Sequence, residues 1–242
     1  MQLDVDAICF DLDDTLCVYE RTVEDLLEVS FERAGVDPFF DGETYRAYFD
    51  RFLDEFDDAD ELRAHCFAEI AADQSRDPAL GREVADVYAA ARDQSNVRPR
   101  SGVPDVVHRL GDRYPIALVT NGDASMQGAK LEGVGLADAF DVTVFAGEDA
   151  APKPAAEPFE TALDALGVGA DRAVHVGNSL DSDVAGARAA GMQSVWTPAE
   201  HDLPGDVDAA EQLGIDHPAV EPRPDAVLSG VDALAHELGI QS

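Results

Sequence analysis

The chain has 242 residues, which is enough for one large domain or two modest ones. It carries 50 acidic residues against 17 basic ones, and the resulting net charge of −33 at pH 7 repels nucleic-acid phosphates and anionic membrane surfaces. We therefore expect neither a nucleic-acid partner nor a membrane partner. Hydrophobic residues make up 45% of the chain, so enough apolar material is present for a folded core.

The acidity has an unusual composition, with 33 Asp, 15 Arg and only two lysines, Lys130 and Lys153. This pattern resembles haloarchaeal-type acidic proteins and predicts a fold that needs high salt. Three cysteines without ligand spacing indicate neither a disulfide framework nor a zinc site. No basic and apolar leader and no long apolar run is evident in the sequence, so we expect a cytoplasmic protein.

Short apolar runs that read as buried strands recur along the chain, with helical patterns between most of them. The predicted strands cover residues 5–10, 115–119, 142–145, 173–176, 194–196 and, more weakly, 226–228. Two of the predicted helices cover residues 158–166 and 183–190, each ending before a glycine. This alternation predicts an α/β fold, a Rossmann-like parallel sheet covered by helices on both faces in three layers.

Residues 16–100 break this rhythm, because no strand is evident there and 11 of the 17 aromatic residues fall within them. Aromatic side chains recur at helical spacing between Tyr45 and Phe56, which predicts an all-helical insertion with its own core. An Asp-rich loop at 57–60 divides the segment. We therefore predict an α/β core made of residues 1–15 and 101–242, interrupted by a helical cap made of residues 16–100.

Four polar segments follow predicted core strands or their loops. They are Asp11 to Thr15, Thr120 with Asn121, Lys153 between Pro152 and Pro154, and Gly177 to Asp183. Acidic pairs, glycine turns and capping residues arise often by chance in a chain this rich in Asp. Position distinguishes these four, because ligands of open α/β sheets bind at the carboxyl ends of the strands.

Taken in order, these segments resemble the signature motifs of the haloacid dehalogenase superfamily, whose members are mostly phosphatases. The matching residues are Asp11, Asp13, Thr15, Thr120, Asn121, Lys153, Gly177 and Asp183. The resemblance spans residues 8–191, and the position of the cap matches the helical-cap (C1) subgroup. It implies the fold of that superfamily and a phosphohydrolase that acts on a small phosphorylated metabolite.

The resemblance also implies a role for each matching residue. Asp11 is expected to be the nucleophile that forms an aspartyl-phosphate, and Asp13 the acid and base. Lys153, Thr120 and Asn121 are expected to bind the substrate phosphate. The expected cofactor is Mg²⁺, held by Asp11, by the backbone carbonyl of Asp13 and by Asp183, which together supply the oxygen ligands that this ion prefers.

Several alternatives stay open. A 2-haloacid dehalogenase or a phosphomutase could use the same scaffold, although expulsion of a halide needs no acid at Asp13. Phosphonate cleavage is excluded, since it needs a cap lysine and residues 16–100 contain none. Asn178 stands where the family usually has Asp. Its side chain is a candidate to lie beside the metal without binding it directly. The missing carboxylate also motivates an alternative in which the protein is a non-catalytic binding subunit. The substrate is left open, as is the choice between monomer and homodimer.

Overall fold

The structure is a computed structural model, and it describes residues 3–56, 58–199, 202–203 and 214–239. The chain divides into two compact units, Met1–Val18 with Val97–Ser242, and Tyr19–Asn96. Among the described residues, no helix combines the length and the apolar character that crossing a membrane requires.

The first unit contains a six-stranded sheet with the strand order β5-β4-β1-β6-β7-β8, and every neighbouring pair in it is parallel. The eight strands of the described chain are β1 (Ala7–Phe10), β2 (Cys17–Tyr19), β3 (Val97–Pro99), β4 (Ile116–Asn121), β5 (Val142–Ala146), β6 (Ala173–Gly177), β7 (Gln193–Trp196) and β8 (Ala226–Val227). The predicted α/β class and the predicted core strands are confirmed. Because β4, β1 and β6 are parallel neighbours, their carboxyl ends lie side by side at one end of the sheet, its carboxyl edge. The strand order reverses at β1, which is where ligands bind in sheets of this kind.

Both faces of this sheet are covered. All four residues of β1 are fully buried although alternate side chains point to opposite faces, which requires a layer on each side. On one face Ala7 and Cys9 lie in a cluster with Phe159. The α-helices in the described part of this unit are α5 (Val103–Gly111), α6 (Ala124–Gly133), α7 (Glu157–Leu166), α8 (Ala185–Ala189) and α9 (Val231–Glu237).

The helix predicted over residues 183–190 begins earlier and less regularly than the pattern indicates. A wide helical turn covers Leu180–Val184 and leads into α8. The side chain of Ser179 caps this turn by accepting a hydrogen bond from the backbone N–H of Ser182. Asp183 therefore lies inside the helical segment and does not serve as its cap.

The described part of the second unit contains four α-helices, α1 (Val23–Ala34), α2 (Gly42–Phe52), α3 (Ala59–Asp73) and α4 (Pro78–Ala91). Their apolar faces share one core, which contains aromatic side chains such as Tyr45, Phe67 and Tyr88. Local capping fixes the helix starts, since Thr22 and Asp25 form a capping box and Asp41 caps α2.

Two expectations about residues 16–100 are corrected. The segment is not free of strands, because β2 and β3 pair as a two-stranded sheet at its ends. These two strands give no recognisable sequence pattern, because each is only three residues long. The predicted Asp-rich loop is also shorter than expected, since Asp58 caps α3 and Asp60 lies in its first turn. Asp57 lies outside the described residues.

Candidate functional site

The side chain of Lys153 joins two of the predicted acids at the carboxyl edge of the sheet. Its ammonium Nζ lies 2.7 Å from Asp11 Oδ1 and 2.6 Å from Asp183 Oδ1, and it also donates to the Val119 carbonyl at 2.9 Å. Asp11 follows β1, Lys153 follows β5 and Asp183 follows β6. Three segments far apart in the chain thus meet because their parallel strands end at the same edge.

Asp183 is held by several donors at once. Its Oδ1 contacts His175 Nε2 at 3.0 Å, and its Oδ2 accepts from the Ser179 N–H at 3.0 Å. Gly177 makes this approach possible, because a Cβ there would lie 2.3 Å from the Asp183 carboxyl group. Asp181, the other acid of the segment, is exposed. The structure therefore places Asp183 in the site and Asp181 outside it.

Thr120 and Asn121 end β4 but make different contacts. Thr120 is buried, and its hydroxyl accepts a hydrogen bond from Gln127 Nε2 at 2.6 Å. The hydroxyl proton of Thr120 thus remains available for another acceptor. The Asn121 side chain binds the main chain of Lys153, accepting from its N–H at 2.8 Å and donating to its carbonyl at 3.2 Å. Asn121 therefore orients Lys153, and its direct contact with phosphate stays a prediction.

Asp13 is held by a residue that the sequence analysis did not assign to the site. Lys130 Nζ lies 2.7 Å from both carboxylate oxygens of Asp13, and Gln127 Nε2 donates to Asp13 Oδ2 at 3.1 Å. Lys153, by contrast, contacts Asp11 and not Asp13. One signal could have pointed to Lys130: it is one of only two lysines in the chain, and it lies just after the Thr120 motif.

Thr15 and Asn178 lie on the other side of Asp11. The Thr15 hydroxyl is 3.0 Å from Asp11 Oδ2 and 3.4 Å from Asn178 Oδ1. The Asn178 amide nitrogen donates to Asp202 Oδ2 at 2.9 Å. A carboxylate thus reaches the neighbourhood of Asn178 from a residue 24 positions later, which no motif in the sequence indicates.

The pKa values of the site residues are set by their burial and by the charge of the Lys153 ammonium. Burial raises the pKa of Asp11 to about 7, and this effect outweighs the opposing charge of Lys153. Burial also acts to raise the pKa of Asp183, but Lys153 and the hydrogen bond from His175 hold that pKa below its usual range. Burial lowers the pKa of His175, so its ring is neutral at neutral pH. The pKa of Lys153 is raised, because its two carboxylate partners outweigh its own burial.

The donor chemistry of the site fits Mg²⁺. The carboxylates of Asp11 and Asp183, the backbone carbonyl of Asp13 and the amide of Asn178 are all oxygen donors. These four residues line a pocket of about 180 Å³ together with Thr120, Asn121, Lys153, Asp14 and Ser182. Over the ranges that the structure describes, there is no group of three or more Asp, Glu, His or Cys side chains whose geometry could already hold a metal ion. The ammonium of Lys153 lies between two of the carboxylates instead.

Comparison with known proteins finds relatives by sequence and a solved structure with the same fold. The chain is 34% identical over 136 residues to a phosphoserine phosphatase from Thermus thermophilus, an alignment that covers 56% of this chain and 54% of that protein. It is 31% identical over 210 residues to a ribulose-1,5-bisphosphate 5-phosphatase from Halopiger xanaduensis, which covers 80% of this chain and 85% of that protein. The chain thus spans about half the length of the first relative and most of the second.

A solved structure shares the fold across the whole chain. The HAD-hydrolase YfnB from Bacillus subtilis, solved with bound magnesium, matches with a TM-score of 0.71 at 19% identity and covers 98% of this chain and 99% of its own. A family model described as haloacid dehalogenase-like hydrolase matches residues 5–191, which contain all four motifs. The chain belongs to the haloacid dehalogenase-like hydrolase family.

Proposed function

We propose that the protein hydrolyses phosphate monoesters of small metabolites through an aspartyl-phosphate on Asp11. The observation that carries the proposal is the contact of Lys153 with both Asp11 and Asp183 at the carboxyl edge of the sheet. A buried cation at this place counters the repulsion between a carboxylate nucleophile and an anionic phosphoryl group. Relatives named as phosphatases support the same reaction class.

The residues of the chain divide the reaction into two steps. In the first, a carboxylate oxygen of Asp11 bonds to phosphorus, the bond from phosphorus to the ester oxygen breaks, and Asp13 gives that oxygen a proton. In the second, Asp13 takes a proton from water, which attacks the phosphorus and releases inorganic phosphate from Asp11. The Lys153 ammonium counters the charge of the phosphoryl oxygens in both steps, and the Thr120 hydroxyl donates to these oxygens.

Asp11, the backbone carbonyl of Asp13 and Asp183 would hold Mg²⁺, with Asn178 beside them. When bound, this ion supplies positive charge that offsets the charge of the phosphoryl oxygens. YfnB, which shares the fold, was solved with magnesium, and this observation supports the cofactor proposal.

The substrate class is a small phosphorylated metabolite. Two relatives are named for phosphoserine and for ribulose 1,5-bisphosphate, both small molecules that carry a phosphate ester. We further propose that residues 16–100 form a cap that selects among such esters. The compact helical unit Tyr19–Asn96, with its own core, supports a separate role for this segment.

The test is turnover of a chromogenic aryl phosphate in molar KCl, with and without Mg²⁺. We expect turnover that needs the metal, and its loss in D11N without unfolding. The matched control is D181N, which removes an exposed carboxylate from the same helical turn as Asp183 and should keep wild-type turnover. If the wild type shows no turnover with any divalent metal, or if D11N remains active, the proposal fails. A panel of sugar phosphates, nucleotides, phosphoglycolate and phosphoserine then identifies the substrate.

A further inference from the structure

Helix α6 presents two buried polar side chains to the site from one face. Gln127 and Lys130 are three residues apart, which places them on the same side of the helix. They are 1% and 4% exposed, although glutamine and lysine are rarely buried without a polar partner. Both reach the same carboxylate, that of Asp13, more than 110 residues earlier in the chain. Two buried donors of one helix thus share a single acceptor, the Asp13 carboxylate.

The contacts determine how the Asp13 carboxyl group is oriented. Lys130 Nζ is equidistant, at 2.7 Å, from Oδ1 and Oδ2, and Gln127 adds a second donor on Oδ2. The Asp13 side chain is itself 40% exposed, so without these donors it would be free to rotate in solvent. Gln127 also donates to Thr120, so α6 orients two of the groups expected to act on the phosphoryl group.

We propose that Lys130 is a positioning residue for Asp13, holding its carboxylate in the orientation from which it takes a proton from the attacking water. This inference rests on the proposed phosphatase function and assigns a role to Lys130, the lysine that the sequence analysis left without one. The step balances as in the mechanism above: the water O–H proton moves to Asp13, the water oxygen bonds to phosphorus, and the bond between phosphorus and Asp11 breaks. Lys130 neither forms nor breaks a covalent bond in this step.

The test separates the two steps by using an aryl phosphate, whose phenolate leaves without needing a proton. Lys130→Met retains a stem of similar length and removes the ammonium. Formation of the phosphoenzyme, reported by kcat/KM, should change by less than about tenfold, whereas kcat should fall by about 10²-fold. Phosphoenzyme should then accumulate, giving a burst of about one phenolate per enzyme before slow turnover.

A double-mutant cycle with Asp13 makes the test sharper. If Lys130 acts through Asp13, then D13N/K130M should turn over no more slowly than D13N alone. The control for loss of a positive charge is R172M, because the Arg172 guanidinium pairs with Asp4 and Asp6, which precede β1; this variant should show wild-type kcat and no burst. If K130M does not fold, as judged by thermal unfolding, K130L takes its place and is read by the same outcomes, since it also removes the ammonium and leaves an apolar side chain.

The outcomes are distinct. Unchanged kcat in K130M, an equal fall in kcat and kcat/KM without a burst, or additive losses in the double variant would each overturn the positioning role. A wild type without turnover would instead refute the proposed phosphatase function. These two failures are therefore separate, because the positioning test is read only against an active wild type.

Discussion

Two substitutions in the charge cluster should abolish the same activity but move stability in opposite directions. Lys153 is 2% exposed and faces two buried carboxyl groups, so once Asp11 is ionised the cluster of Lys153, Asp11 and Asp183 has one negative charge in excess. K153M would leave both carboxylates buried without their common partner. Loss of one partner of a buried ion pair costs about 3–5 kcal/mol. At about 2–4 °C of melting temperature per kcal/mol, K153M should melt about 6–20 °C lower than the wild type.

D11N should behave in the opposite way, because it leaves one ammonium facing one carboxylate. Its amide keeps the shape of the carboxyl group and can still accept the hydrogen bond from Lys153. We therefore expect a melting temperature equal to or above that of the wild type, with no turnover. Burial raises the pKa of Asp11 to about 7, so its contribution to wild-type stability is lost as pH rises through that value. The difference between the melting temperatures of D11N and the wild type should therefore grow as the pH rises to about 7.

The assay is thermal unfolding in molar KCl without added metal, followed by fluorescence. Trp196, the single tryptophan, lies in β7 of the same unit as the site and reports its unfolding. The double variant D11N/K153M should lose less stability than the sum of the two single effects, with a coupling of about 0.5–3 kcal/mol. A K153M protein with wild-type melting, or D11N and K153M falling equally, would refute the charge argument.

Three further predictions concern salt, Asn178 and helix capping. The melting temperature should rise from low salt to molar KCl, because the Debye length falls from about 30 Å at 0.01 M to about 3 Å at 1 M and screens the net charge of −33; an unchanged melting temperature would contradict this. N178D should destabilise the fold by about 1–3 kcal/mol, because it puts a carboxylate against Asp202, and D202N added to it should restore stability in the same unfolding assay. D41A should lower the free energy of unfolding in denaturant titration. The hydrogen bond from the Thr44 N–H holds the pKa of Asp41 below its usual range, so this contribution is present at neutral pH and fades in acid, whereas D41N should not show that fading.

The sequence alone predicts the sheet and the place where the site forms. Buried parallel strands consist of short apolar runs, and glycines such as Gly167 end the helices between them, so local patterns are sufficient. The acids at positions 11 and 183 and the lysine at 153 each follow such a strand. Because parallel strands end at a common edge, the meeting of these three side chains follows from the order of strands and polar segments along the chain.

Tertiary structure decides which of these groups contact one another and which further residues join them. Lys130 reaches Asp13 across 117 positions, and Asn178 meets Asp202 through a segment without a motif. The short strands β2 and β3 are likewise visible only once they pair. Such contacts depend on where α6 and residues 197–199 and 202–203 lie in the folded unit, and packing is set by shape and burial over the whole unit. Local composition indicates which side chains can ionise, but only the folded chain determines which of them lose water and share a charge.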